Sequence, residues 1–174
     1  MALSKTIPPT AADLQRLLSE FAGHTPEDVV RGLISLTPTR HRAELGSGTR
    51  LFTYCTLDTL LIPRLLGEDA RLSSAPPGAA APLHYAIAGG ELQVPGEWVM
   101  SFPQIRPGDA GEFKGNFCPY ANAFASAQGY AAWAAGAGIA TQFLSLAQAD
   151  ALARDYAEVV MREAPKVCGC GCGL

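Results

Sequence analysis

Five cysteines, Cys55, Cys118, Cys168, Cys170 and Cys172, are the residues of this 174-residue chain with the most chemical potential. Their odd number and lopsided placement argue against a closed disulfide framework, so the thiols are read as metal ligands or nucleophiles. Cys55 and Asp58 form a C-x-x-D pair at the head of an apolar run, Cys55 to Gly67. If that run is a helix, both side chains share one face, a turn apart, and the partial positive charge of the helix start favours thiolate and carboxylate alike. A thiolate captures soft metals and a neighbouring carboxylic acid moves protons. Taken alone, the pair is a weak signal and reads more readily as a small buried hydrophobe beside a carboxylate that satisfies local backbone donors. At the far end, Cys168-Gly169-Cys170-Gly171-Cys172-Gly173 places three thiols on a stretch with no helix or strand pattern, suited to wrapping a soft metal. The competing reading of that tail is a reactive end that oxidises without function. His24, His41 and His84 are scattered singly, follow no metal-ligand spacing and are assigned structural or solvent roles. No Ser/His/Asp elbow, phosphate loop or dinucleotide fingerprint is present.

The elements that must position these groups follow from periodicity. Residues 10 to 36 predict two short helices. Thr10 caps the first, whose apolar stripe is Leu14, Leu17, Leu18 and Phe21, and Gly23 closes it. Thr25-Pro26 starts the second, with Val29, Val30, Leu33 and Ile34 as its stripe. The polar, turn-rich stretch from Pro38 to Gly48 is the expected boundary between this N-terminal helical module, residues 1–40, and a main domain at 41–165. Strands are predicted at Arg50 to Tyr54, Ala70 to Ser74, Pro82 to Ala88, Glu91 to Val94 and Glu97 to Phe102. Between the first two lies the helix led by Cys55 and ended by Gly67, which Pro63 should kink or make irregular. Tyr120 to Ala127 reads as a central strand, Gly129 to Ala135 as a small helix and Gly138 to Leu144 as another strand. A final helix opens on the capping box Ser145/Gln148 and stops before Pro165. Residues 166–174 form the Cys-rich tail. The sum is an α+β fold, with a mostly antiparallel sheet packed by helices behind a short N-terminal helical module.

Composition removes several function classes. Hydrophobic residues make up 48% and charged residues 17%, enough apolar surface for one well-cored domain and too much for a chain disordered throughout. A net charge of −3 lacks the basic footprint of a nucleic-acid binder, and neither N-terminal helix carries a basic recognition face. The apolar stretch from Gly115 to Ala149 is interrupted by Asn116, Asn122, Gln128 and Gln142, which argues for buried core rather than a membrane span. With no apolar leader visible after Met1, a cytoplasmic location is the expectation, and it keeps the thiols reduced.

The run Tyr54-Cys55-Thr56-Leu57-Asp58-Thr59-Leu60-Leu61-Ile62-Pro63, then Leu66-Gly67 and Ala70-Arg71-Leu72-Ser73-Ser74, resembles the core motif of the bacterial organomercurial (alkylmercury) lyases. A second match follows at Asn116-Phe117-Cys118 and the apolar stretch Ala123-Phe124-Ala125-Ser126. The similarity spans roughly Leu51 to Arg162 and keeps the family's motif order. It departs from the family at Ala75-Pro76-Pro77 and Pro119, where members often carry further cysteines, at Tyr54, where tryptophan is common, and in a shorter N-terminal module.

The resemblance implies two catalytic cysteines and one aspartate, which fall by motif position on Cys55, Cys118 and Asp58. Their expected chemistry is protonolysis of a carbon–mercury bond, giving a hydrocarbon and Hg(II) held by Cys55 and Cys118. No resident cofactor is expected; external thiols would release the product. Phe117, Phe124 and Leu57 would surround the organic group. At the ordinary aspartate pKa of about 3.9 Asp58 would be ionised, so the proton would come from a cysteine thiol displaced by the metal. The expected partners are an organomercurial substrate and a mercuric reductase receiving Hg(II) through Cys168, Cys170 and Cys172, with neither nucleic acid nor membrane. The alternative is a non-catalytic carrier of Hg(II) or Cu(I) on the same fold. A weaker third reading is a regulator that retains a DNA-binding helix pair.

Overall fold

The fold is that of a computed structural model, which describes residues 8–106, 108 and 111–165. It is α+β with antiparallel pairing throughout the two sheets among the described residues. The six strands of the larger sheet are β1 (Ile34–Ser35), β2 (His41–Leu45), β3 (Arg50–Thr53), β4 (Ala70–Ser74), β5 (Leu83–Ala88) and β6 (Glu91–Gln93), in the order β1-β3-β2-β4-β5-β6. A smaller sheet, in the order β8-β7-β9, joins β7 (Val99–Pro103), β8 (Ala123–Phe124) and β9 (Thr141–Ser145).

The helix led by Cys55, which becomes α3 (Thr56–Leu66) after α1 (Ala11–Leu17) and α2 (Pro26–Leu33), lies at the centre. Every residue of α3 except Arg64 and Leu66 is buried, as expected of a helix apolar on nearly all sides. It continues through Pro63 without a break and ends at Gly67, whose φ of +64° lies in the left-handed region that glycine adopts without strain. On one side α3 packs on the larger sheet. On the other it meets the long C-terminal helix, the last of three that follow: α4 (Phe113–Asn116), α5 (Ala127–Ala134) and α6 (Leu146–Glu163). Arg64 fastens α3 to α6 through paired 2.8 Å hydrogen bonds from Nε and Nη2 to the two carboxylate oxygens of buried Asp150. The N-terminal helices pack on α3 and α6, and their Leu14, Leu17, Leu18, Val29, Val30 and Leu33 join the same core as Cys55 and Cys118.

Helix starts match their sequence signals. Thr10 with Asp13, Thr25 with Pro26, and Ser145 with Gln148 cap α1, α2 and α6. Two strand expectations are corrected. His41–Leu45, placed in the boundary loop, is an interior strand, because its alternation turns His41, Ala43 and Leu45 inward and Arg42 outward. Tyr120 to Ala127 is no central strand: only Ala123–Phe124 pairs, at a sheet edge. The preceding Cys118–Tyr120 is a 3₁₀ turn, and Ser126 already caps α5. Ile34 leaves the second helix and starts β1 instead.

Candidate active site

Two chain segments sixty residues apart meet at the start of α3. Cys55 is the residue that caps the helix, and Asp58 sits one turn in. The Asp58 Oδ2 accepts 3.1 Å hydrogen bonds from the backbone N–H groups of Cys55 and Tyr54, so the carboxylate closes the open end of its own helix. Cys118 arrives on the 3₁₀ turn after α4 and donates its thiol to the same Oδ2 across 3.9 Å.

Backbone contacts hold that second segment against the first. The Ala121 carbonyl accepts from the N–H of Thr56 at 3.0 Å, using another free donor at the start of α3. Ser101 on β7 donates its hydroxyl to the Tyr120 carbonyl at 2.6 Å and accepts from the Asn122 N–H at 2.9 Å. Asn122 Nδ2 reaches back 3.1 Å to the Pro119 carbonyl. Sequence reasoning missed Ser101, Asn122 and the Ala121 carbonyl. The signal available was the pair of small polar residues Ser101 and Asn122 inside otherwise apolar stretches.

Cys55 is 0% exposed, and Asp58 and Cys118 are each 2% exposed. The two Sγ atoms and a carboxylate oxygen all lie within 4.8 Å of one another, forming a group of potential metal ligands among the described residues. Both cysteines are free. Burial reverses the charge state expected of an exposed trio. It pushes the Asp58 carboxyl up to about 7, against the opposing hydrogen bonds from Cys55, Tyr54 and Cys118. Burial also raises the Cys55 thiol. The hydrogen bond to Cys55, burial and the Asp58 charge together raise Cys118. The resting site is therefore a thiol pair beside a carboxyl that is partly protonated near neutral pH, in place of the almost wholly ionised Asp58 expected of an isolated carboxylate.

The sequence profile of the alkylmercury lyases matches residues 34–158, most of the chain and both segments of the site. The chain belongs to the alkylmercury lyase family. It is 35% identical to the alkylmercury lyase of Pseudomonas putida over 103 residues, 58% of this chain and 47% of the relative. The alkylmercury lyase of Streptomyces lividans is 27% identical over 130 residues, 74% of this chain and 59% of that one. This family member thus spans about half the length of the curated relatives it matches. Its fold resembles the crystal structure of the mercury-bound form of MerB2, with a TM-score of 0.63 at 21% identity, over 74% of this chain and 62% of that one.

Of the apolar neighbours expected at the site, Leu57 and Phe117 share the main core with the two cysteines, and Phe117 meets Phe102 edge-on at 5.0 Å. Phe124 is placed elsewhere, in a separate small cluster with Val99 and Tyr130. The tail cysteines Cys168, Cys170 and Cys172 lie outside the described residues. His41 is buried on β2 and ligates nothing in this group.

Proposed function

We propose that the chain cleaves carbon–mercury bonds by protonolysis, with Cys55 and Cys118 as the mercury ligands and Asp58 as the acid that protonates the departing carbon. The observation that carries this reading is the convergence of two buried thiols and one buried carboxyl within 4.8 Å. Mercury is a soft metal and thiolate the softest ligand a side chain offers, so the pair suits R–Hg⁺. Each thiol loses its proton as it binds the metal, so thiols that rest protonated still capture it. With two thiolates on the metal, electron density moves toward carbon. Asp58, hydrogen-bonded to Cys118, gives that carbon the proton needed to release RH. The balance is R–Hg⁺ plus two thiols giving RH, Hg(II) on two thiolates and one proton.

A carrier of Hg(II) or Cu(I) needs the thiolates but gains nothing from a carboxyl with a raised pKa between them, so the acid favours the lyase over the carrier. No resident cofactor is required by this scheme, and small external thiols release Hg(II) by exchange. The tail thiols Cys168, Cys170 and Cys172 would accept the metal next and pass it to a mercuric reductase. Two free thiols as the working pair suit a reducing, cytoplasmic setting. No described helix is long and apolar enough to cross a membrane.

The deciding experiment incubates the reduced protein anaerobically with an organomercurial and excess small thiol, and measures RH. Hydrocarbon release above the thiol-only control is expected, and release no greater than that control refutes the lyase reading.

A further inference from the structure

The inner face of the larger sheet is apolar along Ala43, Leu45, Ala70, Leu72 and Ile87, but turns polar where it lies under the first turn of α3. His41, Thr53, Ser74 and Tyr85 are all buried there, facing the equally buried Thr56 and Thr59 of the helix. His41 Nδ1 is 2.7 Å from Ser74 Oγ, which is 2.5 Å from Thr56 Oγ1. The Thr59 hydroxyl donates to the Thr56 carbonyl at 2.6 Å, and its oxygen is 2.6 Å from the Tyr85 hydroxyl. Thr53 Oγ1 donates to the Cys55 carbonyl at 3.1 Å.

Four of these five bonds end on the backbone or hydroxyls of residues 55–59, the fifth, His41 to Ser74, supports the Ser74 hydroxyl that meets Thr56, and none of them ends on the thiols or the Asp58 carboxylate. Burying so many hydroxyls and an imidazole brings little net stability, since each bond mainly replaces one to water. A connected buried network instead selects one geometry, where apolar side chains would let a helix slide against its sheet. Position matters here because Cys55 and Cys118 sit on separate elements, and a shift of the first turn along the helix axis changes their separation directly.

We infer that His41, Ser74, Thr56, Thr59 and Tyr85 form a positioning frame for the mercury ligands: a buried hydrogen-bonded train that locks the first turn of α3 to the sheet and sets the spacing of Cys55 from Cys118. The inference rests on the mercury-binding reading of the site, but not on turnover. None of the hydrogen bonds of the five ends on a thiol or on the Asp58 carboxyl; they act through the backbone that carries Cys55.

The test uses the full chain bearing Cys168→Ser, Cys170→Ser and Cys172→Ser, so that Hg(II) binding reports the working pair. Thr56→Val removes one hydroxyl at constant shape, Tyr85→Phe removes one oxygen, and Thr56→Ser keeps the hydroxyl. Hg(II) affinity is measured in competition with a small dithiol, the thiolate–mercury charge-transfer absorption is recorded, and kcat and KM are determined for hydrocarbon release. Thr56→Val and Tyr85→Phe are expected to lose about tenfold in Hg(II) affinity and in kcat, with KM little changed and the absorption shifted, as sub-ångström misplacement implies. Thr56→Ser is expected to stay near the parent. Variants that are less heat-stable but bind Hg(II), absorb and turn over like the parent would show that the network serves packing alone and overturn the inference. If Thr56→Val does not fold, the single-atom Tyr85→Phe decides. A parent that binds Hg(II) but releases no hydrocarbon refutes the lyase reading, while the affinity and absorption arms still decide the frame.

Discussion

The Cys118 thiol meets Asp58 Oδ2 at 3.9 Å, on the same oxygen that accepts the N–H groups of Tyr54 and Cys55. One carboxylate oxygen thus closes the start of α3 and joins the two cysteine-bearing segments. Structural and chemical duties converge on it, and substitutions at this position separate them.

Asp58→Asn keeps an oxygen that can accept the two backbone N–H groups but cannot deliver a proton, so Hg(II) binding by Cys55 and Cys118 should survive. Turnover should fall by about 10²–10⁴, the usual contribution of a positioned acid. Asp58→Ala should show the same loss of turnover and, in addition, lose about 1 kcal/mol of stability with the cap. Hydrocarbon release, Hg(II) titration and urea unfolding measure the three quantities separately. Turnover retained by Asp58→Asn would remove Asp58 from the chemistry.

The raised Asp58 carboxyl also makes stability depend on pH. Between the ordinary value of 3.8 and about 7, the folded chain holds a proton that the unfolded chain has lost, so this group's contribution declines as pH rises through that window. His41 acts oppositely: burial and the Arg40 charge lower it from 6.5 to about 4, so stability rises with pH across that range as the unfolded chain gives up its extra proton. The two slopes offset below about pH 6.5. Asp58→Asn removes only the first, and its stability relative to the parent should rise by on the order of 2 kcal/mol from pH 5 to pH 8. Urea unfolding of both proteins under reducing conditions at each pH checks this. A difference constant with pH would mean that Asp58 titrates as an ordinary carboxyl.

Much of this was legible in the chain itself. The C-x-x-D pair, the helix behind it, Gly67 as its stop and the Ser145/Gln148 box are local signals, and local signals survive folding. The proximity of Cys118 to Cys55 came from motif resemblance, since no periodicity relates residues sixty apart. The polarity under α3 was not legible, because His41, Ser74, Thr56 and Tyr85 come from four elements and each alone looks like a surface or core residue. The Asp58 pKa was missed for the same reason: desolvation is set by what packs around a group, and Asp58 becomes 2% exposed, with Cys118 beside it, only in three dimensions.

Asp150 predicts a purely structural effect. It is 3% exposed and pairs with Arg64 by two 2.8 Å bonds and with Arg154 at 3.1 Å. Asp150→Ala leaves the largely buried Arg64 guanidinium with only the Gly90 carbonyl as its remaining hydrogen-bond partner among these contacts. Removing one partner of a buried ion pair costs about 3 kcal/mol, so urea unfolding should show a loss near that size. Because the tie lies at the far end of α3 from Cys55, kcat of the folded variant should remain close to that of the parent. A large kcat loss would mean that α3 moves as a rigid rod between its two ends.

On the proposed lyase reading an organomercurial has to reach thiols that are 0% and 2% exposed, which requires some element to open. Among the described residues, one surface contact between the two cysteine-bearing segments is made by the Lys114 ammonium, 4.9 Å from the ring centre of Tyr54, with the Phe113 ring centre of its own segment at 5.6 Å. Tyr54 immediately precedes Cys55, and Lys114 lies on α4, which leads into Cys118. A cation–π contact at an exposed site contributes about 0.5–1 kcal/mol, so its loss should raise the population of the open form about two- to fivefold. Alkylation of a buried thiol under native conditions follows that population when reclosing is faster than reaction. Lys114→Ala should therefore speed alkylation of Cys55 and Cys118 by a similar factor, while Lys114→Arg, which keeps the cation, should not. Peptide mass spectrometry after timed alkylation resolves each cysteine, with a small free thiol in the same reaction as a control for reagent activity. Equal rates in the parent and Lys114→Ala would show that the segments part without breaking this contact, and would move the point of entry away from the α4 side of the site.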